Sequence, residues 1–202
     1  MKKILLTLSV LFILVGCAAK PESTVTAYLE AIKVNETTVF DTQEQAKYFD
    51  RTVELEDLDD AQALLDDQSE VQKVFSLELF KVIKEFEYKV VSSTISEDKQ
   101  TASVQVEFTT YPVGDMMVAM MQKLFTSLFT MTFENDEQVT QFMLDTFVAL
   151  KPEYQKDRVN TVDVHLIKVE NEWKMVGDDI NTPMFNALLG GVMDLDVEGM
   201  ME

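Results

Sequence analysis

Cationic residues are scarce. The chain of 202 residues holds 17 Lys and Arg against 36 Asp and Glu, a formal net charge of −19 at pH 7. A nucleic-acid binder needs a cationic face to neutralise phosphates, and no stretch supplies one, which argues against nucleic acid as a partner. Cysteine is scarcer still. Cys17 stands alone, which excludes an internal disulfide and any cysteine-built zinc site. His165 is the sole histidine. That excludes a poly-histidine metal centre and leaves few ways to build a catalytic triad. The sequence has no Walker loop, no Gly-x-Ser-x-Gly elbow and no His-Glu-x-x-His helix, so it announces no cofactor and no metal. It also lacks internal repeats and low-complexity linkers. What remains is 47% apolar and 26% charged, enough for one domain to bury a core without staples.

The N-terminus carries the most specific signal. Lys2 and Lys3 form a positive start, Ile4 to Val15 a mostly apolar run, and Leu14-Val15-Gly16-Cys17 follows at once. Twelve residues rise only about 18 Å as a helix, too short for a hydrocarbon core of ~30 Å. Residues 1–16 therefore read as an export signal. The small-residue approach to a Cys resembles the lipobox of bacterial lipoproteins. That resemblance implies cleavage before Cys17, diacylglyceryl on its thiol, and anchoring at the outer face of the cell membrane. Two acyl chains on one residue give stable attachment at ~0.8 kcal/mol per buried methylene. Cleavage leaves 15 basic against 36 acidic side chains, net −21. Residues 17–23 are the lipidated tether, 24–195 a single α+β domain, and 196–202 an acidic tail.

Within the domain, Val25, Tyr28, Leu29 and Ile32 fall at helical spacing in Ser23–Asn35. Residues 41–70 carry eleven acids and two bases. Ala46, Phe49 and Val53 suggest one short helix there, and Leu58, Ala61, Leu64 and Leu65 another. Ser69–Phe86 is a stronger helix, with Val71, Val74, Phe75, Leu79, Val82, Ile83 and Phe86 on one side. The period then changes. Ala102, Val104, Val106 and Phe108 alternate with polar residues, so Tyr88–Ile95 and Thr101–Tyr111 read as a hairpin with one buried face. Pro112-Val113-Gly114 ends it. Met116–Thr132 is a helix diluted by Gln122, Lys123 and the Ser and Thr residues after 125. Glu134–Leu150 is another, stopped near Pro152. Arg158–Val169 and Glu172–Val176 form a second hairpin around Glu170-Asn171. Thr182–Met193 closes the chain as a helix weakened by Gly190-Gly191.

The lipoprotein signal occurs with a first helix reading Thr24-Val25-Thr26-Ala27-Tyr28-Leu29-Glu30-Ala31-Ile32-Lys33. It also occurs with a late hairpin reading Leu166-Ile167-Lys168-Val169-Glu170-Asn171-Glu172-Trp173-Lys174-Met175-Val176. This combination resembles Gram-positive lipoproteins of the nuclear-transport-factor-2-like (cystatin-like) superfamily. The resemblance implies a bent antiparallel sheet of about four strands packed on helices, a cone with room for an internal pocket. Residues 36–68 and 113–157 exceed a minimal cone and are expected as helical insertions over that pocket.

Three constellations could carry chemistry. Met117, Met120, Met121, Leu124, Phe125 and Leu128 form an apolar helix rich in flexible, polarisable thioethers. They read either as the wall or lid of a pocket for a lipid or apolar peptide, or as ordinary core on the open face of the sheet. Asp163 and His165 share a strand face. They read either as a proton-transfer pair or as two solvent-side residues. The acidic run 54–60, with Asp66 and Asp67, offers oxygen ligands to a hard cation. It lacks calcium-loop spacing, and Leu55 and Leu58 fit a helix whose charges face water. The reading that follows is a membrane-anchored binding or interaction module for an apolar small ligand or an envelope protein. The alternatives are a pocket enzyme of the same superfamily and a structural envelope protein without ligand.

Overall fold

The structure is a computed structural model that describes residues 20–34, 42–51 and 69–195. The export signal, Cys17, Val53, the helix expected around Leu58–Leu65, the acidic run 54–67 and the tail lie outside the described residues.

Alternation builds the sheet. In β2 (Thr101–Thr110), Ala102, Val104, Val106, Phe108 and Thr110 are buried, while the residues between them are half-buried. β2 pairs antiparallel with β1 (Glu87–Ile95) and β3 (Arg158–Val169), and β3 pairs with β4 (Glu172–Met175), giving the order β1-β2-β3-β4. The fold is α+β, as the change of period predicts. β1 carries a bulge between Val90 and Ser92, a device that bends a strand and increases its twist. The β3–β4 turn is made by Glu170 and Asn171, both at positive φ (49° and 75°). That is the pairing a two-residue type I′ hairpin turn demands.

Helices cover the apolar face. α1 (Pro21–Val34) buries Val25, Tyr28, Leu29 and Ile32, the four residues that the spacing selects. It starts two residues before Ser23, because proline fits the first helical position, where its missing N–H costs nothing. Thr24 Oγ1 ties its first turn to the carbonyl of Trp173, at 3.0 Å. α2 (Thr42–Tyr48) delivers Phe49, which bridges to Met175 and stacks on Phe185 with centroids 6.0 Å apart. α3 (Glu70–Lys84) opens on a reciprocal cap, in which Gln72 N–H donates to Ser69 Oγ and Ser69 N–H donates to Gln72 Oε1.

The largest departures from expectation are at α4 and at the closing helix. α4 runs Val113–Leu128 rather than Met116–Thr132, because Val113 and Gly114 are already packed at the end of the sheet. The closing helix, α6 (Thr182–Leu188), stops five residues early. Gly190 and Gly191 take left-handed φ of 65° and 83° and turn the chain into a short 3-10 segment, Val192–Asp194. α5 (Asp136–Leu150) passes directly into a 3-10 turn through Pro152.

Two apolar clusters result. The first lies under the sheet and joins α1, β2, β3, β4 and α6 through Tyr28, Phe108, Leu166, Trp173 and Phe185. The second joins α3, α4 and α5 at one end of the sheet through Val82, Ile83, Met116, Met120, Phe147 and Leu150.

Candidate functional site

The pair Asp163 and His165 sits on the strand face opposite Val164 and Leu166, opposite Gln105 and Ser103. Asp163 is exposed and His165 half-buried. No hydrogen bond or ion pair joins the two side chains among the described residues. What the structure does at His165 is structural. Asn181, fully buried, donates to the carbonyls of His165 (2.9 Å) and Val176 (2.8 Å) and accepts from the His165 N–H (2.8 Å). An amide side chain thus stands in for a strand where β4 ends. Nothing in the spacing around Asn181 announces that role.

Tyr28 lies under the sheet. Burial holds its hydroxyl well above the ordinary tyrosine range, and that oxygen has no hydrogen-bond partner among the described residues. Its ring meets Phe49 edge-on at 5.0 Å and Tyr48 at 5.4 Å, so it is packed as core. Tyr88 is at the edge of the sheet. Partial burial, followed by the hydrogen bond its hydroxyl donates to Glu30 at 2.7 Å, pushes its pKa up to about 12.

The Met-rich helix divides along its length. Its root is locked: Gly114 N–H donates to the Gly190 carbonyl at 3.1 Å, and a Cβ on Gly114 would stand 2.6 Å from the Gly191 carbonyl oxygen. Met116 and Met120 are fully buried against α3 and α5, and Leu124 nearly so. Met117 and Met121 are half-buried. Beyond them the burial ends. Phe125 is 42% exposed, Leu128 51%, Phe129 89% and Met131 52%. Of the six apolar candidates, Met120 and Leu124 are therefore core, Met117 and Met121 lie at its margin, and Phe125 and Leu128 face outward. Phe129 and Met131 extend that outward group, and the sequence reading did not single them out as a surface. The only hint was the Ser and Thr content after residue 125.

Where α4 turns into α5, Phe133 packs edge-on to Phe142 at 5.6 Å. Asn135 Oδ1 then caps α5 by accepting from Gln138 N–H at 3.0 Å. Glu134, Asp136 and Glu137 surround this turn, all exposed. A separate open groove of about 670 Å³ runs between α4 and α5. It is lined by Ala119, Gln122, Lys123, Thr126, Asp145 and Thr146 among others, and none of the six apolar candidates lines it. Phe142, Leu150 and Tyr154 also line it, so it mixes apolar with polar side chains and lies apart from the exposed Phe125, Leu128, Phe129 and Met131.

The root of α4 and the first turn of α1 lie at opposite ends of the sheet. The first turn of α1 reaches Trp173, beside the β3–β4 turn, where Lys168 N–H also meets the Gln100 carbonyl. α4 leaves from Val113, beside the other end of β2, and its sixteen residues extend about 24 Å. Among the described residues no helix is long and apolar enough to cross a membrane, and no group of three or more acid, His or Cys side chains is placed to hold a metal ion. No protein-family model, curated protein or solved structure matches the chain, so the site stands on its own geometry.

Proposed function

We propose that this protein is an extracytoplasmic lipoprotein, anchored by diacylglyceryl on Cys17, that works as an interaction module for an envelope protein. The observation that carries the reading is the exposed Phe125, Leu128, Phe129 and Met131 at the end of α4. A cluster of large apolar side chains left in water at one place marks an interaction site more often than isolated exposed ones do. The space under the sheet is occupied by packed aromatic and aliphatic side chains, which favours an external partner over a ligand held inside the cone. The four-stranded antiparallel sheet covered by the first and last helices is compatible with a nuclear-transport-factor-2-like body.

Two measurements test this reading. Metabolic labelling with an alkyne fatty acid should mark the wild-type chain and leave Cys17→Ala unmarked; equal labelling ends the lipoprotein claim. Native mass spectrometry of protein purified from its own cell should give the mass of the lipidated chain alone. A stoichiometric additional lipid would move the function to an apolar small ligand.

A further inference from the structure

We infer that the tip of the α4–α5 hairpin docks a basic, amphipathic segment of its partner protein. The inference rests on the interaction-module reading and names the chemistry of the partner. Met117, Met121, Phe125 and Leu128 follow one another at steps of four, four and three residues along α4, which places them on one helix face. Exposure along that face rises toward the tip. This is an apolar stripe whose root, Met117, packs against the second cluster and whose end is bare.

Charge decides what fits there. Residues 113–150 carry five acids, Asp115, Glu134, Asp136, Glu137 and Asp145, against the single base Lys123. Some acids near the helices are paired, Glu85 with Lys151, Glu87 with Lys156 and Asp194 with Arg158, while Asp115, Asp145 and Glu153 make no ion pair among the described residues. Glu134, Asp136 and Glu137 make no ion pair among the described residues. They favour the N-terminus of α5 through its dipole, yet three carboxylates beside bare Phe and Met still define a surface of one sign. A helix with an apolar face and lysines or arginines flanking it satisfies both features at once, as in helix-in-groove recognition by Met-rich surfaces. An anionic bilayer repels the same carboxylates. A second copy would bring acids against acids.

The probe is a synthetic eighteen-residue Leu/Lys peptide patterned as an amphipathic helix, titrated onto the full chain in phosphatidylcholine nanodiscs with empty discs subtracted. A Leu/Glu peptide of the same pattern is the control. Wild type should bind the Leu/Lys peptide and not the Leu/Glu peptide. Phe125→Ser with Phe129→Ser should weaken binding at least tenfold. Glu134→Gln with Asp136→Asn and Glu137→Gln should weaken it severalfold and flatten its dependence on salt. All these side chains are exposed, so the variants should keep the wild-type melting temperature, which is checked in parallel. Equal affinity in the variants, or equal binding of the Leu/Glu peptide, overturns the inference. So does a Phe129-dependent attachment to protein-free vesicles, or a Phe129-dependent dimer, without peptide binding. Any of these leaves fatty-acid labelling at Cys17 unaffected, so failure of the docking chemistry is distinguishable from failure of the anchoring.

Discussion

The body under the sheet and the helical hairpin beyond it bury similar side chains and treat them differently. Under the sheet, an apolar residue has neighbours on every side. Phe108 in β2 lies near Phe86, with ring centroids 6.3 Å apart, and is completely buried. In the hairpin, α4 carries large apolar side chains from root to tip, but only its first part is enclosed. Met116 and Met120 are enclosed, and nine residues after Met120 Phe129 stands almost entirely in water. Apolar character alone does not fix burial. Position along the hairpin does: the root is enclosed by the second cluster and the tip is surface.

The comparison can be broken by single substitutions. The largest effect belongs to the sheet body. Phe108→Ala should lower stability by about 3–5 kcal/mol, read as a shift in the urea midpoint at constant slope. A loss below ~1 kcal/mol would mean the body under the sheet is not a close-packed core. Next comes Asn181→Ala, which strands the His165 N–H and the Val176 carbonyl, while the His165 carbonyl keeps the Val176 N–H; about 3 kcal/mol is expected from the same titration. Gly114→Ala tests the root of the hairpin. The added methyl meets the Gly191 backbone, and overpacking of this kind costs about 1–3 kcal/mol. If that cost is absent, the two regions are not rigidly joined there.

A smaller effect is expected at Tyr88. Its folded pKa, about 12, lies above the ordinary 10.0 because burial and the bond to Glu30 favour the neutral phenol. Its contribution is complete below pH 10 and is lost as pH rises toward 12, since the unfolded chain ionises first. Thermal melts of Tyr88→Phe should therefore fall less steeply than wild type over that interval. Parallel curves would assign the alkaline loss to other groups. The smallest effect belongs to the tip. Phe129→Ser should change stability by no more than about 0.5 kcal/mol, and a larger loss would place Phe129 in a core.

The sheet was legible because strand alternation is local. Ala102, Val104, Val106 and Phe108 declare their face within seven residues, and Glu170-Asn171 marks its turn. α1 was legible for the same reason, through Val25, Tyr28, Leu29 and Ile32. The ends of helices were not, because they are decided by distant chain. Val113 is drawn into α4 by the Gly190-Gly191 turn, and α6 stops because that turn must pass close to Tyr111 and Arg158. Asn181 works by meeting His165 sixteen residues away. At the site, Phe125 and Leu128 were singled out by composition. Their exposure, and that of Phe129, depends on which part of α4 the second cluster encloses.

The central claim is that the hairpin tip, and not the sheet body, is the surface this protein offers to others. In-cell crosslinking tests it most directly, with a photoreactive amino acid placed at position 129 or, as the control, at the exposed Val169 beside the β3–β4 turn. The account predicts a discrete higher-mass adduct from position 129 and none from 169. No adduct at 129, or the same adduct at both positions, would contradict it.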